Sequence, residues 1–284
     1  MSNADSSLGS ASPVEAAQHP DASGEALERL ATRDDPEVRR AVAAHPNTPA
    51  DVLVELAGDF PEAFLGNPAA MLLSTENPAL PGRVPAEALH RALAPDEVPS
   101  NWLAWCCGHP DDALRLRVAE HPSTPPAVLF RLTEDPESRV RARLTERPDL
   151  PAELLERLAS DASEDVRCIV AIGAETPPPL LARLVKDSSS NVRLRAARHP
   201  DTPPHALEGM GEDPDVLVRV ALTERPDPPQ PVVERLTRDR IHWVRRRVAA
   251  HPETPAALIE RLAEDESEPV RERAGRALSE RSDS

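Results

Sequence analysis

Apolar positions along this chain fall into two alternating blocks. In one, Val128, Leu129 and Leu132 are separated by one, three and four residues; in the other, Val140 and Leu144 are four apart. Both spacings fit the 3.6-residue turn, so each block predicts a short helix with one apolar face. The two blocks recur together at a step of 26 residues. Leu132, Leu158, Leu184, Met210, Leu236 and Leu262 keep that step, and so do Val140, Val166, Val192, Val218, Val244 and Val270. A fixed period of about 20 to 50 residues marks a solenoid. Helices of about two to three turns do not persist alone. The pattern therefore predicts an array whose copies stabilise one another by stacking.

Polar residues punctuate the copies at constant phase. Each of those valines is followed by an arginine: Arg141, Arg167, Arg193, Arg219, Arg245 and Arg271. Asp135, Asp161, Asp187, Asp213, Asp239 and Asp265 keep the same step. Thr48-Pro49 and Thr124-Pro125 read as helix starts, with threonine capping and proline filling a first position that needs no N–H. Thr124 is thus expected to cap a helix from Pro125 to about Glu134. Asp135-Pro136 turns the chain, and a second helix is expected from about Glu137 to Thr145, ended by Arg147-Pro148. Two helices in 26 residues is tight, so one member of each pair is expected to be 3₁₀ in places. The Val-Arg element is expected to be the shorter in some copies.

Residues 1–18 are rich in small polar residues and aperiodic, which predicts a disordered tail. The first copy opens at His19-Pro20, and His45-Pro46 follows 26 residues on. Between 53 and 108 the period fails: Asn67-Pro68 comes after only 22 residues and Asn77-Pro78 after ten more. Helices are expected at about 86–93 and 101–107, with Trp102 and Trp105 of the second in the core. This segment reads as divergent repeats inside a single array from 19 to 278. A slot before proline is filled by His109, His121, Arg147, His199, Arg225 and His251, with Gly173 as the exception, and residues 279–284 form a polar tail.

Composition narrows the function. The chain has 284 residues, 39% hydrophobic and 2% aromatic, with 33 prolines and 10 glycines. Prolines at fixed phase act as helix starts and stops rather than signs of disorder. The net charge is −16, from 49 acidic and 33 basic residues, which argues against nonspecific binding to DNA, RNA or an anionic membrane. Three cysteines, Cys106, Cys107 and Cys168, make no disulfide framework and suggest reduced thiols in the cytoplasm. No apolar window is long enough for a membrane span, and the first residues lack the features of a signal peptide.

Four groups could carry chemistry. The Val-Arg arginines would form a ladder that either binds acidic peptide or phosphate, or pairs internally. Constant spacing and the rigid guanidinium fork favour the internal role, with the aspartate six residues earlier or an acid of the next copy. The slot histidines sit about 9–10 Å apart between adjacent copies, too far to share a metal; capping of helix carbonyls is the expected role. Cys106 and Cys107, near His109, lack a group to orient a nucleophile and read as structural. Arg245, Arg246 and Arg247, with Arg240 and Trp243, form the one strongly basic cluster and the expected binding site. There is no phosphate loop, zinc-protease motif or nucleophile elbow. The expectation is a non-enzymatic cytoplasmic scaffold without metal or cofactor, binding another protein. The alternative is a nucleic-acid-associated helical-repeat protein of the HEAT-like kind.

The repeat also resembles a known family. Val42-Ala43-Ala44-His45-Pro46-Asn47-Thr48-Pro49 and Val248-Ala249-Ala250-His251-Pro252-Glu253-Thr254-Pro255, with the leucine, aspartate and Val-Arg positions around them, resemble the leucine-rich repeat variant family of bacteria over roughly 19–278. That resemblance implies an all-α right-handed superhelix of alternating α- and 3₁₀-helices, and a role in protein interaction or regulation. Some members carry an iron-sulfur domain before the repeats. This chain has no cysteine before Cys106 and three in all, too few for a four-thiolate cluster, so no cluster is carried over.

Overall fold

The computed structural model describes residues 12–77 and 79–282. Every regular element among them is helical. The array expected as one body from 19 to 278 is divided into two compact units, the first ending at Arg147 and the second beginning at Pro148. Both are built by the same rule, a leucine helix followed by a Val-Arg helix.

In the first unit, Leu27, Val38, Val42, Ala43, Val52 and Leu56 form a continuous core that also takes in Ala17. Ala17 belongs to the helix Pro13–Gln18, whose start is a capping box between Ser12 and Glu15. The expected disordered tail is therefore wrong for residues 12–18, while residues 1–11 lie outside the described residues. Two reciprocal hydrogen bonds satisfy both helix-start donors, and one buried alanine docks the turn. The divergent stretch stays helical: Pro61–Leu65, Pro68–Glu76, Ala86–Ala92 and Ser100–Cys106. Trp105 is buried and meets Phe64 edge-on, with ring centroids 5.2 Å apart.

In the second unit, leucine helices span Ala152–Leu158, Pro178–Leu184, Gln230–Leu236 and Ala256–Leu262. Val-Arg helices span Glu164–Ile172, Ser190–Arg198, Val216–Leu222, His242–Ala250 and Glu268–Ser282. Val192, Ala196 and Ala197 are fully buried in the second of these, as Val166, Val170 and Ala171 are in the first. Valine, then valine or alanine four positions on and alanine five on, gives these helices a narrow apolar stripe of small residues, so they pack closely against one another. Burying each valine or leucine contributes about 1.5–3 kcal/mol.

Several expectations need correction. The Val-Arg element is not the shorter one: it is α-helical in every copy and runs nine residues in Glu164–Ile172, against seven in Ala152–Leu158. Among the described residues the 3₁₀ segments are Pro81–Arg83 and Glu208–Glu212. The second ends a leucine helix, where Gly209 and Gly211 weaken α-helix formation. The threonines do not cap the following helices. Thr48, Thr124, Thr176 and Thr254 are buried, and their hydroxyls donate to the carbonyls of Val42, Val118, Val170 and Val248 at 2.6 to 2.7 Å. The next residue, proline, takes the N-cap place without a side-chain bond. Those carbonyls already accept the N–H of His45, His121, Gly173 and His251, so the bond's gain is that the buried hydroxyl is itself satisfied, while a helix-start N–H open to water needs no cap. The polar end is also no tail, because the last helix continues to Ser282.

Candidate functional site

The turn aspartates and Val-Arg arginines form a three-way clamp. Arg219 sends Nε and Nη2 to the two carboxylate oxygens of Asp239, 20 residues ahead, at 2.6 and 3.2 Å. Its Nη1 donates to the main-chain carbonyl of Asp213, six residues back, at 2.7 Å. Asp239 Oδ1 also accepts the N–H of Ile241. One guanidinium thus pins the turn of its own copy and the turn of the next. Arg167 with Asp187, Arg193 with Asp213 and Arg245 with Asp265 repeat the arrangement in the second unit; Arg115 with Asp135 does so in the first. Arg141 donates to the carbonyl of Asp135, Asp161 accepts the N–H of Ser163, and Arg271 donates to the carbonyls of Asp265 and Glu266. At six residues' separation the contact is therefore to the aspartate's carbonyl and not to its side chain. The carboxylate partner lies one copy on, because the fork must reach across the stack to satisfy both oxygens.

These contacts shift the charges in the expected sense. Asp265 is held below the ordinary carboxylate range by Arg245. Burial alone would raise Asp187, but Arg167 and the Ser189 N–H outweigh it and bring it down. Arg115, Arg167, Arg193 and Arg245 are pushed further up by their aspartates.

The slot residues cap backwards. His45, His121, His199 and His251 bond through Nε2 to the carbonyls of His19, Pro95, Gly173 and Arg225, each 26 residues earlier. Their Nδ1 atoms accept the N–H two residues on. An accepting Nδ1 and a carbonyl-facing Nε2 place the ring N–H on Nε2. Arg225 does the same work with three carbonyls, those of Ala197, His199 and Pro200. Asn67 reaches Ala43 and His45. At the chain end Arg281, within the expected tail, reaches the carbonyls of Thr254, His251 and Pro252. Cys106 and Cys107 are buried, and burial pushes both thiols up, away from the reactive thiolate.

The basic cluster around Trp243 is split. Arg245 is buried and clamped to Asp265, so it is not available to a ligand. Arg247 donates to Thr223 and Glu224. Trp243, Arg246 and Arg247 line one depression with Arg273. Arg240 lines a different groove, of about 750 Å³, with Arg235, Arg238 and Arg261. Its apolar lining is Pro214, Pro231 and Leu258. Sequence reasoning overlooked this second set. Arg131, Arg157, Arg183, Arg235 and Arg261 keep the same 26-residue step, with Gly209 in the empty place. The signal was the period itself, one residue before the leucine that was followed. Arg131 and Arg183 lie across the preceding copy, bonded to the carbonyls of Ala104 and Glu156.

Comparison with known proteins agrees with this geometry. Residues 36–60 and 191–215 match the family model described as leucine rich repeat variant. Each matched stretch contains one arginine–aspartate pair, Arg39 with Asp59 and Arg193 with Asp213. A solved structure described as a leucine-rich repeat variant with a novel repetitive structural motif is similar over 87% of this chain and 88% of that one, with a TM-score of 0.51 and 21% identity. At that identity the likeness shows the fold alone. The crystal structure of an engineered protein aligns over 98% of both chains at 14% identity, but its TM-score of 0.31 carries no argument. No curated protein matches the chain.

Proposed function

We propose that this helical-repeat chain, which matches the leucine rich repeat variant model in two stretches, is a non-enzymatic cytoplasmic scaffold that binds another protein. The observation that carries this reading is where the polar residues are spent. Arginine, aspartate, histidine and threonine at repeat positions bond to neighbouring copies, and the buried thiols are raised. Among the described residues no group of histidine, cysteine, aspartate and glutamate is placed to hold a metal ion, and no base or nucleophile is set apart from that framework. What faces outward in the second unit is a set of arginines, Trp243 and prolines in open grooves. Arginine and tryptophan are the side chains that dominate protein interfaces. Among the described residues no helix is long and apolar enough to cross a membrane.

Affinity purification of the tagged chain from its native cell tests the reading. A stoichiometric protein partner is expected. Salt-sensitive retention of DNA or RNA with no such partner would instead support the nucleic-acid alternative and sink the scaffold.

A further inference from the structure

The groove beside Gly211 differs from the rest of the second unit in having lost its arginine strap. In the copy from Pro203 to Asp213 the leucine helix stops at Leu207 and continues as the 3₁₀ segment Glu208–Glu212. Gly209 stands where the other copies place arginine, and a Cβ there would meet nothing within 4 Å. Gly211 lies flat against the stem of Arg235, whose Cβ, Cγ and Cδ would be 3.4 Å from a Cβ at that position. The edge is therefore bare, and the guanidinium of Arg235 turns onto Glu212.

Charge in this groove is unbalanced. Asp213 and Asp239 are consumed by the clamps of Arg193 and Arg219, Glu212 by Arg235, and Glu234 accepts from Gln230. Among the described residues the guanidinium groups of Arg238 and Arg240 have neither an ion pair nor a hydrogen bond, and both side chains are exposed. Two free guanidinium forks thus stand beside the apolar surface of Pro231 and Leu258 on a chain of net charge −16.

We propose that this groove binds an extended acidic peptide segment of a partner protein, with its carboxylates on Arg238 and Arg240 and an apolar side chain against Pro231 and Leu258. The proposal rests on the scaffold reading and gives the partner its chemistry. A guanidinium takes a carboxylate through two parallel bonds, which suits a few discrete carboxylates. A polyphosphate chain needs a continuous basic track, and Glu212, Glu234 and the acidic body interrupt one here.

Fluorescence anisotropy on the full chain tests this with three probes: a labelled short peptide of alternating glutamate and leucine, the same peptide with glutamine for glutamate, and a labelled single-stranded DNA of equal charge. The glutamate peptide is expected to bind, and to weaken as salt screens the contact. Replacing Arg238→Ala together with Arg240→Ala is expected to weaken it by at least about tenfold at unchanged melting temperature, and Arg246→Ala to leave it unchanged. No binding of the glutamate peptide, equal binding of the glutamine peptide, tighter binding of the DNA, or an equal loss in Arg246→Ala overturns the proposal. Partner capture from the native cell separates the two levels. If the double variant retains the partner as well as the wild type does, the groove assignment fails and the scaffold stands; if the wild type captures none, the scaffold itself fails.

Discussion

Arg219 and Asp239 show most clearly how one residue pair can look like a site and act as a joint. Their side chains are 4% and 3% exposed, so neither can meet a ligand. A buried ion pair adds little net stability over an apolar pair of the same shape, but removing one partner strands a charge. Asp239→Ala is therefore expected to cost about 3–5 kcal/mol in urea unfolding, whereas Arg238→Ala, one residue away and exposed, is expected to stay within about 0.5 kcal/mol. The same clamps set an acid limit. Asp265 is depressed in the folded chain, so its contribution is full above the ordinary carboxylate pKa of about 3.9 and is lost as pH falls through the lower folded value. Unfolding followed across that acid range is expected to show Asp265→Asn weaker than the wild type at neutral pH and less steeply dependent on acid. A parallel loss in both proteins would show that Asp265 is not part of the acid response.

At the scale of the helix, the structure explains why histidine, arginine and asparagine share one slot. Each offers an N–H at the reach needed to meet the last carbonyls of the preceding Val-Arg helix, as His199, Arg225 and Asn67 do. His199→Ala is expected to cost about 0.5–1.5 kcal/mol, the net worth of one lost hydrogen bond, since the part-buried Gly173 carbonyl keeps the N–H of Thr176. His199→Arg is expected to recover most of that, read as a shift in thermal midpoint; no difference between the two variants would remove the capping role. The helices themselves were legible in the sequence, since periodicity alone places the leucine and Val-Arg elements and the helices near 86–93 and 101–107. Cap chemistry was not. Thr124-Pro125 has the composition of a helix start, but the hydroxyl serves the helix behind it, and only the position of the preceding carbonyl decides between the two. The helix Pro13–Gln18 was missed because six residues with one buried alanine carry no period.

For the whole molecule, the 26-residue step implied a repeat array and its nearest-neighbour bonding, because a residue that recurs at every copy is placed to touch the next one. What the step could not show was where a copy departs from the rule in space. Gly209 was visible as a change of residue, but the bare edge beside Arg238 and Arg240 depends on the 3₁₀ turn that follows Leu207. The division after Arg147 was likewise invisible in a period that continues without a gap. Residues 148–284, made alone, are expected to fold as a helical unit, since four clamps lie wholly within them; an unfolded spectrum by circular dichroism would contradict that expectation.

Residues that repeat build the stack, and the groove proposed for a partner lies where the repeat is broken. A double-mutant cycle on Arg219 and Asp239, using Arg219→Met and Asp239→Leu with urea unfolding as the readout, tests this most directly. The single changes should each be strongly destabilising and the pair much less so, with a coupling of about 2 kcal/mol or more. Additive losses, with coupling under about 0.5 kcal/mol, would mean that the periodic arginines do not hold one copy to the next.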